Sequence, residues 1–485
     1  MRKLALGMIR RAVKAVVYGL VGGFAVLLLG AVLYLDGRPE LKVWHEAELD
    51  AEFTEDSPVH SFAEYLALED RLFAQLQERV YARIEPADKH DINRYNRGSL
   101  SDPDRWPVNW NRSFERVADA PRAGVLLLHG MSDSPYSLRS LGEHLQASGA
   151  TVLGLRIPGH GTAPVGLTDV HWQDMTAAVR LAMRHMRDRL GDKPVYIVGY
   201  SNGSALAVHY ALSALEDPEL PPVSGLVLFS PAIGVSPAAA FAVWQSRLGH
   251  LLGLQKLEWN SLLPEYDPFK YGSFAVNAGD LVYRLTNEIQ SRFAALGEAD
   301  LKRFPRVLAF QSAVDGTVSV KDLVKGLFGR LPVGGHELVL FDINRIADLK
   351  YILAKDPGPQ IDALLGNSGL SFALSVVTNR DETGRDIVIL HREPGDAGVS
   401  TSATQFSWPR DLYSLSHLAL PIPSQDPLYG GPDAGESPGI HLGNLELRGE
   451  RGVLRVSASD MLRIRWNPFY PYLEQRALDF MQLAP

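Results

Sequence analysis

The pentapeptide Gly199-Tyr200-Ser201-Asn202-Gly203 stands directly between an apolar run, residues 194–198, and a helix-forming stretch, residues 204–215. Strand, sharp turn and helix in immediate succession point to a βα unit of a parallel sheet with a serine at the apex of the turn. The two glycines have a steric role. The serine backbone is strained in such a turn, and side chains two positions away on either side would collide with the neighbouring strand and helix. The pentapeptide alone recurs by chance, so its meaning rests on what surrounds it.

The surroundings agree with an α/β fold. Residues 124–128, 151–157, 195–198, 226–229, 307–310 and 338–341 are short, apolar and rich in β-branched side chains, with helical patterns between most of them. Strands buried on both faces of a parallel sheet read this way. Two long interruptions break the alternation, at 232–303 and at 355–411, and proline and glycine make 424–440 a loop. With 485 residues the chain can hold one large domain with insertions or two domains. Its formal net charge of -8 argues against nucleic acid as a partner. The absence of cysteine removes disulfides, thiolate metal sites and cysteine nucleophiles together, and is compatible with an oxidising compartment. Neither a glycine-rich phosphate loop nor clustered ligand spacing appears, so no cofactor and no metal is expected.

The N-terminus reads separately. Arg2, Lys3, Arg10, Arg11 and Lys14 precede an uncharged stretch, 15–35. As a helix of about 21 residues it would reach about 32 Å, enough for a bilayer core of about 30 Å. Acidic residues follow it, so residues 1–42 are expected to be a cytoplasmic stub and single-pass anchor, with the remainder periplasmic or extracellular. A cleaved signal peptide is the alternative, although the run is long and Tyr34-Leu35-Asp36 offers no small-x-small cleavage site. Gly19 and Gly23 have the spacing of a helix-pairing motif, but glycine is frequent in membrane spans. Residues 43–120 form a helical and irregular extension, in which Phe62, Leu66, Leu72, Leu76 and Val80 predict an amphipathic helix within 57–83. Residues 121–485 are the main domain, with 232–303 as a cap.

A serine hydroxyl needs a base to take its proton, and the base needs an acid to fix its tautomer. In α/β sheets carrying such a serine the chain order is serine, acid, histidine. Asp315 follows the strand at 307–310, just past the edge where parallel sheets gather their sites, although an Asp-Gly pair also makes an ordinary turn. Three downstream histidines are candidates. His336 directly precedes a strand and so belongs at the opposite edge of the sheet from Ser201; His391 follows a strand-like run, 386–390; His417 lies in a loop before the C-terminal elements. An oxyanion needs two backbone donors. Asn202, next to the nucleophile, supplies one, and Met131, in the loop opened by His129-Gly130, supplies the other. His129 itself and the turn Pro158-Gly159-His160-Gly161 read as structural features that shape the pocket.

His129-Gly130, the 158–161 turn, the pentapeptide around Ser201, Asp315 and His417 together resemble the monoglyceride-lipase and serine-aminopeptidase-like branch of the α/β-hydrolase superfamily, in particular its membrane-anchored bacterial members. The likeness spans 124–342 and the region of His417. It implies a mostly parallel eight-stranded sheet, an inserted helical cap, and ester or amide hydrolysis through an acyl-enzyme, with Ser201, His417 and Asp315 as the catalytic triad. The chain departs from the pattern in placing about a hundred residues between Asp315 and His417, a gap that the 355–411 insertion fills if it loops out. Residues 238–259 are strongly apolar, as in a lid over an acyl-binding cleft or in the core of a cap. The expectation is a serine hydrolase acting on small-molecule esters of apolar acyl groups. A peptidase, an amidase or an acyltransferase would use the same residues, and an inactive scaffold at the membrane is the rival of another class.

Overall fold

Ten strands join edge to edge in one sheet, in the order β1-β3-β2-β4-β5-β8-β9-β10-β11-β12. The computed structural model describes residues 14–23, 26, 29–30, 34–234, 255–346, 353, 356–396, 398–443 and 463–484. The strands of the large sheet are β1 Phe114–Arg116, β2 Ala123–Leu128, β3 Ala150–Leu155, β4 Val195–Tyr200, β5 Gly225–Phe229, β8 Arg306–Ser312, β9 Glu337–Phe341, β10 Ala373–Asn379, β11 Asp386–Arg392 and β12 Ser400–Ser407. A separate two-stranded sheet joins β6 Trp259–Ser261 to β7 Phe274–Ala275. From β3 to β10 all neighbours in the large sheet are parallel; β1, β11 and β12 run antiparallel to their partners.

The six runs read as strands from their apolar content form β2, β3, β4, β5, β8 and β9, and alternation along them divides the core in two. Leu126, Leu128, Leu153, Leu155, Ile197 and Leu228 point to one face. Val125, Leu127, Val152, Tyr196, Val198 and Val227 point to the other. Each such side chain contributes about 1.5–3 kcal/mol by leaving water. The longer helices are α1 Phe62–Arg79, α2 Arg139–Ala147, α3 Trp172–Leu190, α4 Asn202–Glu216, α5 Val276–Ala295 and α6 Tyr470–Phe480. Helices α3, α4 and α5 cover the first face, with Met183, Leu206 and Leu285 buried there. Helices α2 and α6 cover the second through Leu141, Leu145 and Leu473.

Among the described residues the sheet has ten strands, which corrects the expected count of eight. The segment 355–411 continues the sheet through β10, β11 and β12, and so lies at its edge. Strand β12 is Ser-Thr-Ser-Ala-Thr-Gln-Phe-Ser and mostly exposed, so no apolar pattern marks it in the sequence. Strand β1 is a three-residue edge. Helix α1 falls where its apolar spacing placed it, opened by a capping box between Ser61 and Glu64. Of the residues that predicted it, Phe62, Leu72 and Leu76 are buried, while Leu66 faces solvent.

No described helix is long and apolar enough to cross a membrane. The stretch 15–35 is described only in part: residues 14–23 are helical, and 24, 25, 27, 28 and 31–33 lie outside the described residues. The same holds for the apolar lid, of which 238–254 lie outside; Trp259, at its end, is buried in β6.

Candidate active site

Ser201 sits between the last residue of β4 and the first of α4 with φ 53° and ψ -115°, a left-handed backbone that costs on the order of 1–3 kcal/mol and persists only where its surroundings hold it. The holding bonds are Ser201 N–H to the Phe229 carbonyl at 2.9 Å, and Ser204 and Ala232 N–H to the Ser201 carbonyl at 3.0 and 3.2 Å. The flanking glycines are there for space. A Cβ on Gly203 would lie 2.0 Å from the Leu128 carbonyl oxygen, and one on Gly199 2.5 Å from the Ser204 Cα. The serine thus stands half-buried at the C-terminal edge of the sheet and the N-terminus of α4, where backbone N–H groups favour negative charge.

Asp315 and His417, separated by 102 positions, meet at this edge: His417 Nδ1 donates to Asp315 Oδ2 at 2.9 Å, and both side chains are buried. A carboxylate only accepts, so Nδ1 carries the hydrogen and Nε2 is left as the basic nitrogen. Burial alone would raise the Asp315 carboxyl. The His417 imidazole and the N–H groups of Thr317 and Val318, at 2.8 and 3.1 Å from Oδ1, outweigh it and hold the group below its ordinary value. The His417 loop is tied to the strand ends: Ser312 Oγ donates to the Leu415 carbonyl at 2.9 Å, Tyr200 Oη to the His417 carbonyl at 3.3 Å, and the Tyr200 ring lies 5.4 Å from the imidazole. Tyr200 neighbours Ser201 in sequence, so the contact brings His417 beside the elbow. In the sequence Tyr200 was only the variable position of the pentapeptide, and nothing there marked its role.

The other two histidines lie elsewhere. His336 precedes the first residue of β9, at the N-terminal edge, and its carbonyl accepts from Ala373 N–H at 2.9 Å. His391, on β11, sits between Ser375 Oγ at 2.9 Å and Glu393 at 3.0 Å.

The loop after β2 approaches the elbow closely: a Cβ on Gly130 would lie 3.2 Å from the Ser201 Cβ. Met131 follows, half-buried against Ala232, Val282 and Val318. Asn202 is buried as the first residue of α4, with its side-chain amide 3.7 Å from the Met175 sulfur. His129 holds the loop. Its Nε2 accepts from Ile157 N–H at 3.1 Å, which leaves Nδ1 to donate to the Gly130 carbonyl at 2.9 Å. Burial keeps this imidazole neutral by driving its pKa well down, and the His160 ring meets it edge-on at 4.9 Å between centroids. One group absent from the sequence reading also reaches this loop: Lys270 Nζ lies 3.2 Å from Ser132 Oγ.

Burial lowers His45, His160 and His209 to about 3 and His336 to about 4, and holds His129 well below its ordinary value. A histidine that is neutral when folded and free to take a proton when unfolded stabilises the fold fully above its unfolded pKa of about 6.5. That contribution falls by up to about 1.4 kcal/mol per pH unit for each group as pH drops from about 6.5 toward the folded values. Asp133, raised by burial to about 6, and the buried Glu69 and Glu265, also raised by burial, act in the opposite sense. Five histidines against three carboxyls leave a net loss: the urea midpoint is expected to fall from pH 7 to pH 5. A midpoint equal or higher at pH 5 would contradict the buried neutral histidines.

The doubly covered, mostly parallel sheet with a strained serine between β4 and α4 defines the α/β-hydrolase fold. Residues 119–302 match the hydrolase family described as serine aminopeptidase, S33. A thermostable monoacylglycerol lipase of Bacillus sp. (strain H-257) is 29% identical over 117 residues, which cover 24% of this chain and 44% of that protein. The chain therefore matches less than half the length of that relative. Among solved structures, one reported with the metagenome-derived lipolytic enzymes LipS and LipT is 22% identical, covering 53% of this chain and 98% of that one with a TM-score of 0.36. A soluble variant of the Saccharomyces cerevisiae monoglyceride lipase, in complex with a substrate analog, is 15% identical, covering 47% and 82% with a TM-score of 0.37.

Proposed function

We propose that this chain is a serine hydrolase cleaving carboxylic esters with apolar acyl groups. Ser201 attacks the ester carbonyl, His417 Nε2 takes its proton and returns it to the leaving alcohol, and Asp315 orients His417 and stabilises the imidazolium. The backbone N–H groups of Asn202 and Met131 hold the oxyanion, and water then opens the acyl-enzyme through the same base. The observation that carries this reading is the buried 2.9 Å bond from His417 to Asp315 at the edge of the sheet where Ser201 stands strained. Ala232, Val282 and Val318 beside Met131 support an apolar acyl group, because they offer hydrocarbon next to the oxyanion donor. The N-terminal stretch 15–35 serves as a single-pass anchor with the catalytic domain on the exported side.

Aminopeptidase chemistry is the second reading, favoured by the description of the matching family. Initial rates on matched p-nitrophenyl acyl esters and aminoacyl p-nitroanilides separate the two. Turnover of the butyryl or longer ester should exceed that of the anilides by at least about tenfold, a difference of about 1.4 kcal/mol in barrier. Faster anilide turnover would make the chain a peptidase or amidase, and transfer to an added alcohol in place of water an acyltransferase.

A further inference from the structure

Arg156, at the end of β3, is 1% exposed, and its guanidinium is held by two carboxylates from the N-terminal extension. Glu52 Oε1 accepts from Nη2 at 2.9 Å and Oε2 from Nη1 at 3.1 Å; Glu69 Oε2 accepts from Nε at 3.2 Å. Each partner is itself tied down. Glu52 Oε2 also accepts from Gly159 N–H at 3.0 Å, inside the 158–161 turn. Glu69 accepts from Ser113 Oγ at 2.8 Å, and that hydroxyl accepts from Arg156 N–H at 2.9 Å. Arg156 Nη1 donates to the His160 carbonyl at 3.0 Å, and Tyr65 Oη, on α1, to the Arg156 carbonyl at 2.6 Å. Extension, strand end and turn are one polar unit.

We propose that Glu52 and Glu69 are positioning residues that set the oxyanion donor of Met131 through Arg156, an inference that rests on the serine-hydrolase reading. The path is short. Arg156 and Glu52 fix the turn, and Ile157, directly before it, donates its N–H to His129 Nε2 at 3.1 Å. That bond decides the tautomer, so His129 Nδ1 must carry hydrogen and donates to the Gly130 carbonyl at 2.9 Å. The Gly130 carbonyl and the Met131 N–H belong to one planar peptide and point in opposite directions, so pinning the first aims the second. The same peptide lies against Ser201, where a Gly130 Cβ would come within 3.2 Å of the serine Cβ. A segment that precedes the hydrolase core, with its two carboxylates 104 and 87 positions before Arg156, thereby tunes a group that acts only on the developing oxyanion.

A donor aimed at the oxyanion stabilises the transition state and not the bound ester, so its displacement lowers kcat and spares KM. The test uses the full chain and the variants Glu52→Gln and Glu69→Gln, with kcat normalised to the end-point stoichiometry of fluorophosphonate labelling, which counts folded sites. On p-nitrophenyl butyrate each variant is expected to lose about 10- to 100-fold in kcat per labelled site, the cost of a donor displaced by about an ångström, with KM within about twofold. The inhibition constant of a trifluoromethyl ketone, which forms a tetrahedral adduct, should rise in parallel. Glu55→Gln, which removes a surface pairing with Arg180 at 3.0 Å from the same extension, should match the parent. Should the glutamine variants fold poorly, Glu52→Asp keeps the charge and shortens the reach, and is expected to show the same split in weaker form. Unchanged kcat per labelled site, with any loss explained by fewer labelled sites or a lower melting temperature, overturns the proposal. A parent chain that takes no label refutes the serine-hydrolase reading itself.

Discussion

Replacing Ser201 with alanine is expected to lower kcat by about four to six orders of magnitude, while KM and the melting temperature stay near those of the parent. The size follows from the chemistry: without the hydroxyl no acyl-enzyme forms, and what remains is water attacking an ester held against the oxyanion donors. The fold should be spared, because the bonds that hold this backbone in its left-handed conformation come from Ser201 N–H and the Ser201 carbonyl, both of which alanine keeps. Steady-state hydrolysis of a p-nitrophenyl ester, with circular dichroism as the folding control, measures it. A folded variant with undiminished turnover would remove Ser201 from the mechanism.

Replacing Asp315 with asparagine should cost about 10⁴-fold in kcat, through the tautomer of His417. Thr317 and Val318 N–H point at Asp315 Oδ1, so the amide oxygen of an asparagine must face them and its NH₂ must face His417 Nδ1. Nδ1 then becomes an acceptor, the hydrogen moves to Nε2, and the base can no longer take the serine proton. KM should hardly change, since neither atom touches the ester. A loss of less than about tenfold would mean that His417 is oriented by something other than this carboxylate.

Strands buried on both faces were legible because burial writes itself as uninterrupted apolar runs: β2 to β5, β8 and β9 lie within a few residues of where those runs placed them. The edges were not. Strand β12 exposes most of its side chains, and β1 is too short to carry a period, so neither leaves an apolar trace. At the site, chain order and strand ends singled out Asp315, and chain order with the family resemblance singled out His417; the structure brings these two together and leaves His336 and His391 in other places. The supports around them stayed hidden. Glu52 and Arg156 are 104 positions apart and belong to no motif, so their pairing exists only in the folded chain. The same holds for Tyr200 Oη on the His417 carbonyl, across 217 positions.

The identity of the nucleophile is tested most directly by treating the folded full chain with a fluorophosphonate and mapping the adduct by peptide mass spectrometry. One adduct per chain on the peptide carrying Ser201, with esterase activity lost in proportion to labelling, is the expected result. A folded, ester-hydrolysing chain whose adduct sits on another residue, or that takes none while keeping its activity, would contradict it.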